Sequence, residues 1–282
     1  MINYRSVDDL NKLIKSKLHL IPDVDCVAGV PRSGMLPASL IALYLNKPLI
    51  SIDQIGQPYF NNFTNRITLD HSKPITKCLI VDDSCSSGNA MKRVKQQLQT
   101  LSYDIQFIYV AVYVLESSKQ YVDFWFEVCP HLRLFEWNIM EHSVLSRACV
   151  DLDGVLGEDP SDEQNDDGEK YLRFLRTARP KFIPQHQIGS IVTCRLEKYR
   201  KETKEWLQQH GVKYSELYMM NYPDAESRRK DGKYAQYKAD IFIETGAELF
   251  IESNIYLSEM IYNLTNKPVY CLDNNKFYGG QT

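Results

Sequence analysis

Two stretches of this chain share one order of residue types: an apolar run that reads as a buried strand, then closely spaced acids, then a glycine. They are CLIVDDSCSSGNAM, from Cys78 to Met91, and CVDLDGVL, from Cys149 to Leu156. A buried strand that runs straight into carboxylates places them at the carboxyl end of a parallel strand, where ligands of open α/β sheets gather. With two such ends, the 282 residues are expected to form two α/β units in tandem, each with its own core and a mainly parallel sheet.

The hydrophobic pattern supports that division. In the first half, strands are expected at 25–30, 49–52, 78–81, 105–115, 121–128 and 132–138, with helices from Ser6 or Asp8 to about residue 18, at 34–45 and at 88–101. A loop-like stretch at 54–76 carries Tyr59, Phe60, Phe63 and Arg66, and loops of that length inside a compact domain are usually functional or mobile. Residues 139–147 lack a strong pattern and read as the joint, which gives expected domains at 1–142 and 143–282. The alternation restarts with strands at 148–152, 190–194, 214–220, 249–252 and 268–272. Helices are expected at 169–178, 196–210, 233–245 and 255–264, and a polar loop between the strand ending at 220 and the helix starting at 233. No internal repeat links the halves.

Composition narrows the function. A net charge of −3 leaves no basic surplus to displace counterions from a phosphate backbone, so nucleic acid is not expected as a partner. The seven cysteines form no C-x-x-C pair and sit in or beside apolar runs, as reduced cytoplasmic thiols do. The N-terminus is polar rather than a signal peptide, and no apolar run is long enough for a transmembrane segment.

The chemistry of the first stretch follows from its order. Asp82 and Asp83 can accept hydrogen bonds from the vicinal hydroxyls of a ribose, and the small residues after them let backbone N–H groups turn inward at a phosphate. These residues resemble the phosphoribosyl-diphosphate (PRPP) motif of type I phosphoribosyltransferases, with Ser84 and Cys85 as the variable pair and Ser86, Ser87, Gly88 and Asn89 fitting the phosphate loop. Ala90 departs from it, since the family usually has Thr or Ser there. One strand–helix unit earlier, Arg32, Ser33 and Gly34 occupy the turn that resembles the family's pyrophosphate loop. The resemblance covers roughly residues 20–115 and implies that this turn holds the departing diphosphate while the acids hold the ribose.

In the second stretch, Asp151 ends a strand and Asp153 lies two residues on, pointing to the same side; such a pair can bind Mg²⁺ and divide the labour of phosphoryl transfer. DLDGV is similar to motif I of the haloacid dehalogenase (HAD) superfamily in its phosphatase form. That resemblance implies that Asp151 attacks phosphorus and that Asp153 protonates the leaving alcohol. It further implies that Thr193 grips a phosphate oxygen, that Lys238 neutralises charge, and that Glu252 completes a Mg²⁺ shell with Asp151 and Asp153. Many relatives have two adjacent acids where this chain has Glu252 followed by Ser253 and Asn254.

Together the resemblances imply a type I phosphoribosyltransferase fold followed by a HAD-like Rossmannoid domain. The intervals from Asp153 to Thr193 and from Thr193 to Lys238 are filled by core elements, so no large cap is expected. They further imply PRPP as donor, Mg²⁺ as cofactor and a possible homodimer. The leading expectation is a bifunctional enzyme similar to ribofuranose-forming enzymes of bacterial surface-polysaccharide clusters: 5-phosphoribosyl passes to a glycan acceptor, and the 5-phosphate is then removed. Two alternatives stay open: a nucleotide-salvage enzyme acting on a purine or pyrimidine, and a regulatory protein that senses PRPP. The aromatic run Phe124, Trp125 and Phe126, with Phe135 and Trp137, reads as sheet core or as the floor of an acceptor site.

Overall fold

A computed structural model describes residues 2–52, 55, 75–100 and 104–280. Tyr59, Phe60, Phe63 and Arg66, and with them the expected loop contacts, lie outside the described residues. The chain divides into two compact units, Arg5–Trp137 and a second made of Met1–Tyr4 with Asn138–Thr282.

Near the N-terminus lie strand β1 (Asn3–Arg5) and helix α1 (Val7–Lys17), then β2 (Cys26–Gly29), α2 (Met35–Leu45), β3 (Leu49–Ser51), β4 (Lys77–Cys85), α3 (Asn89–Gln99), β5 (Gln106–Val114), β6 (Phe124–Val128) and β7 (Arg133–Phe135). Ser6 starts α1 through a reciprocal cap with Asp9, each side chain accepting the other's backbone N–H. Five strands form a sheet in the order β3-β2-β4-β5-β6, all parallel.

Alternation along its strands builds two cores. Val27, Leu79, Val81 and Val112 face Leu10 and Ile14 of α1 and Ala38 and Ile41 of α2. Ala28, Cys78, Ile80 and Ala111 face the other way, onto Met91, Val94 and Leu98 of α3. Phe126 and Phe135 are buried in the first of these cores, so these two members of the aromatic run are sheet core.

The second unit contains β8 (Ala148–Val150), α4 (Glu169–Thr177), β9 (Ile188–Leu196), α5 (Arg200–Gln209), β10 (Tyr214–Met220), α6 (Ala225–Asp231), α7 (Tyr234–Glu244), β11 (Leu249–Glu252), α8 (Ile255–Thr265), β12 (Val269–Cys271) and β13 (Lys276–Tyr278). Its sheet runs β10-β9-β8-β11-β12-β13, parallel except for β13. Only core elements stand between β8 and α7, with no inserted domain.

Several expectations need correcting. β4 runs on through Cys85, so Asp82 and Asp83 lie within a strand rather than in the loop after it; pairing of Asp82 with Ala111 and Ser84 with Tyr113 holds the backbone extended. β9 likewise continues to Leu196, which puts Thr193 inside the strand. The polar stretch before α7 contains helix α6, started by the Asp224 side chain accepting from Ser227 N–H. The short edge strands β1 and β13 were not expected. All seven cysteines are free thiols, and among the described residues no helix is long and apolar enough to cross a membrane.

Candidate functional site

In unit Arg5–Trp137 the Arg32 turn lies beside the acid pair because β2 pairs in parallel with β4 as far as Gly29 opposite Val81, and β4 then runs on past it through Asp82 and Asp83 to Cys85. Val30 N–H donates to Val81 C=O at 2.8 Å, and the turn containing Arg32 and Ser33 follows at once. Gly34 seals the approach. A Cβ there would stand 2.6 Å from Val30 O, 2.7 Å from Val81 O and 3.0 Å from Asp82 Cα, so only glycine lets the turn lie against the acid pair. After the pair along the chain, Ser86, Ser87 and Asn89 are exposed at the start of α3, Ser84 is half-buried, and Gly88 and Cys85 are buried. Ser87 Oγ accepts from Asn89 N–H at 3.4 Å.

The acids themselves are not offered to solvent. Asp82 is 6% exposed and Asp83 3%. Asp82 Oδ1 accepts from Asp83 N–H at 2.9 Å, and the Trp137 indole N–H donates to Asp83 Oδ2 at 2.7 Å. Burial, with the neighbouring Asp83 adding to it, pushes the Asp82 carboxyl up to about 8, so it holds its proton at neutral pH. The expected open carboxylate pair is therefore a covered pair tied to an aromatic side chain. Arg133, which the sequence reading passed over, is buried beside it and donates to Cys85 C=O at 3.4 Å.

In the second unit, three expected residues converge and the fourth, Thr193, is buried on a neighbouring strand with its Oγ1 accepting from Arg195 N–H at 3.2 Å. Asp151 follows β8, Glu252 ends β11 and Thr193 lies on β9, the two strands that flank β8; α7 brings Lys238 across. Lys238 Nζ donates to Asp151 Oδ2 at 2.7 Å and to Glu252 Oε2 at 2.5 Å, and all three are buried. Glu252 Oε1 accepts two backbone N–H groups, from Ser253 at 3.0 Å and Asn254 at 3.1 Å. Burial and then Glu252 push Asp151 well above the ordinary carboxylate range. Burial works against the charge on Lys238, but Asp151 and Glu252 outweigh it and hold the ammonium up.

Asp153 stands apart from this cluster. Arg195, whose side chain is fully buried, donates to it from Nε at 3.1 and 3.0 Å and from Nη2 at 2.5 Å. Gly154 makes the turn that follows: its φ is +79°, and a Cβ would meet Ser253 Oγ at 2.2 Å. Asp159, in the segment after Gly154, is raised by burial and then by Asp153, which puts its carboxyl near the same place.

The expected metal set of Asp151, Asp153 and Glu252 does not fit. Lys238 takes an oxygen of both Asp151 and Glu252, backbone amides take the other oxygen of Glu252, and Arg195 takes Asp153. Among the described residues, no group of three or more His, Cys, Asp or Glu side chains stands so as to hold a metal. Hard oxygen donors of the kind Mg²⁺ needs are present, but amino-acid cations already hold them.

No family model and no curated protein matches the sequence. Among solved structures, the chain is similar to the Helicobacter pylori xanthine-guanine-hypoxanthine phosphoribosyltransferase, at 19% identity over 49% of this chain and 93% of that one, with a TM-score of 0.37. It is similar to a purine phosphoribosyltransferase from Pyrococcus horikoshii at 18% identity, over 48% and 93% of the two chains, TM-score 0.37. A chain of a Pnkp1/Rnl/Hen1 complex is similar at 15% identity, over 96% and 87%, TM-score 0.30. At these scores each is a likeness and no more. The chain's own geometry makes it a mixed α/β protein with two mainly parallel sheets, the second of which brings Asp151 and Glu252 to the carboxyl ends of adjacent strands.

Proposed function

We propose that the unit Asn138–Thr282 is a phosphomonoesterase working through Asp151. The observation that carries this reading is the single ammonium of Lys238 between Asp151 and Glu252, with Thr193 on the next strand. A carboxylate so held is fixed in direction and sits beside a cation that offsets the charge of an arriving phosphate. Attack by an Asp151 oxygen forms an acyl phosphate as the ester P–O bond breaks; the electron pair leaves with the alcohol oxygen, which takes its proton from Asp153. Water then hydrolyses the acyl phosphate to free phosphate and restores the carboxylate, and Asp153 takes a proton back from that water. Release of phosphate from p-nitrophenyl phosphate tests this reading: it should be lost in Asp151→Asn, and undiminished release by that variant would remove it.

For the unit Arg5–Trp137 we propose PRPP as ligand and phosphoribosyl transfer as activity. Support comes from the Arg32–Gly34 turn lying against Asp82, and from the exposed Ser86, Ser87 and Asn89 at the start of α3, the helix that follows the strand bearing the acids, which suit a diphosphate and a 5-phosphate of one ribose. Mg²⁺ belongs to this proposal as the companion of the diphosphate donor, not as a resident of the Asp151 cluster. The productive order is transfer first and dephosphorylation second, since direct hydrolysis of PRPP would waste the donor; the product is a ribofuranosyl group on the acceptor.

A glycan acceptor in polysaccharide biosynthesis suits the lack of an inserted cap domain, because an open site admits a long substrate. A purine or pyrimidine acceptor is the second reading. The tyrosine-lined cavity in the second unit favours it.

A further inference from the structure

Between the starts of α7 and α8 lies a cavity of about 450 Å³, within the size range of small-molecule sites. Its walls are aromatic and apolar: Tyr234 from α7, and Tyr256, Leu257 and Met260 from α8. Tyr256 is 67% exposed, a large ring face left to solvent at the cavity's edge.

The polar groups around it are largely engaged already. Gln236 Nε2 donates to Asp240 at 2.7 Å, Asn254 Oδ1 accepts from Leu257 N–H at 2.9 Å, and Lys233 pairs with Asp231 at 3.0 Å. A sugar brings several hydroxyls, each needing a partner once desolvated, and this lining has few to spare. A flat ring needs faces to stack on and one or two hydrogen bonds, which the lining can supply.

The cavity also adjoins the reacting cluster on two sides. Asn254 lines it, and the same residue's N–H donates to Glu252. Tyr234 stands one helical turn before Lys238 on α7. Arg228 lies over the Tyr234 ring, 5.8 Å from its centre, and donates through Nη1 to Cys194 C=O at 2.5 Å, next to Thr193. Its Nε is buried without a hydrogen-bond partner, a donor left over between the Thr193 strand and the ring.

We propose that this cavity takes the heteroaromatic ring of a nucleoside monophosphate whose phosphate is presented to Asp151. This rests on the phosphomonoesterase reading and names its substrate class. The full chain should be assayed with AMP, UMP and ribose 5-phosphate, which differ in having or lacking the ring. A mononucleotide should be preferred in kcat/KM by roughly 5- to 100-fold, the range expected of one base stacked on aromatic side chains. That ratio should fall toward one in Tyr256→Ala and survive in Tyr256→Phe, which keeps the ring. Equal kcat/KM for the three substrates, or a ratio that Tyr256→Ala leaves in place, overturns the proposal.

A second measurement separates the two readings. Adenosine, which has no phosphate, is titrated into Asp151→Asn with and without Tyr256→Ala and followed by protein NMR. Binding that Tyr256→Ala weakens upholds the ring site even if no phosphate is ever released. Phosphate release without adenosine binding upholds the esterase and overturns the ring site.

Discussion

Arg195 and Asp153 face each other in a fork: the guanidinium, fully buried, donates to the carboxylate from Nε at 3.0 and 3.1 Å and from Nη2 at 2.5 Å. A planar fork of this kind fixes a carboxylate in direction as well as in place, which a lysine cannot do. Arg195→Gln should lower phosphate release by about 100-fold or more, the scale of losing an oriented acid–base group. Arg195→Lys should restore little of it. Steady-state kinetics on both variants checks this, and full activity in Arg195→Lys would show that charge alone suffices.

Lys238 is the sole cation that hydrogen-bonds both Asp151 and Glu252 among the described residues. Removing it by Lys238→Met leaves two buried carboxylates facing each other, and truncating one partner of a buried ion pair costs about 3–5 kcal/mol. Chemical denaturation should show a loss of that order together with loss of phosphate release. Glu252→Gln removes one of the two charges and should partly recover the stability of Lys238→Met in the double variant, because the remaining carboxylate then faces an amide.

Asp82 gives a pH signature. Its folded carboxyl is pushed up to about 8 from an ordinary value of 3.8, by burial first and Asp83 second. A group raised on folding adds stability that is complete below its unfolded value and is lost as pH climbs through the folded one. Wild-type stability should therefore decline between about pH 4 and pH 8 through this residue. Asp82→Asn, which cannot ionise, should flatten that part of the curve. Thermal melts across this window, wild type against variant, decide it; parallel curves would mean that Asp82 does not titrate there.

Gly34 offers the sharpest steric test. A methyl at this position meets two carbonyl oxygens at 2.6 and 2.7 Å, both backbone, so neither can swing away. Gly34→Ala should push the Arg32 turn off the Asp82 strand and weaken PRPP binding by at least tenfold in calorimetric titration with Mg²⁺ present. Gly168→Ala is a suitable control, since a Cβ there has its nearest neighbour at 3.5 Å.

The second cluster was legible because each member belongs to a local pattern: Asp151, Thr193 and Glu252 sit on or just after apolar strand runs, and Lys238 opens an apolar helical face. The Ser6 cap was equally plain. Arg195 was not, because in TCRLEKYR it looks like a solvent-facing residue before a helix, and only the pairing of β8 with β9 brings it to Asp153. Trp137 read only as sheet core or acceptor floor, with nothing local to tie its N–H to Asp83. Helix α6 escaped for a different reason: AESRRKD has no apolar stripe, and its only local signals are the Asp224 cap and Gly232 at the far end. The polar end of β4 was misjudged because its extended form comes from the neighbouring strand β5, not from its own residues.

The proposed sequence of events is that the chain makes a 5-phosphoribosyl product and then removes its phosphate at Asp151. Mass spectrometry of reactions containing PRPP, Mg²⁺ and a panel of base and glycan acceptors tests it most directly. With Asp151→Asn an acceptor should gain a phosphoribosyl unit, and with the unaltered chain the same acceptor should gain ribose without phosphate. Identical products from both proteins, or no modified acceptor from either, would contradict it.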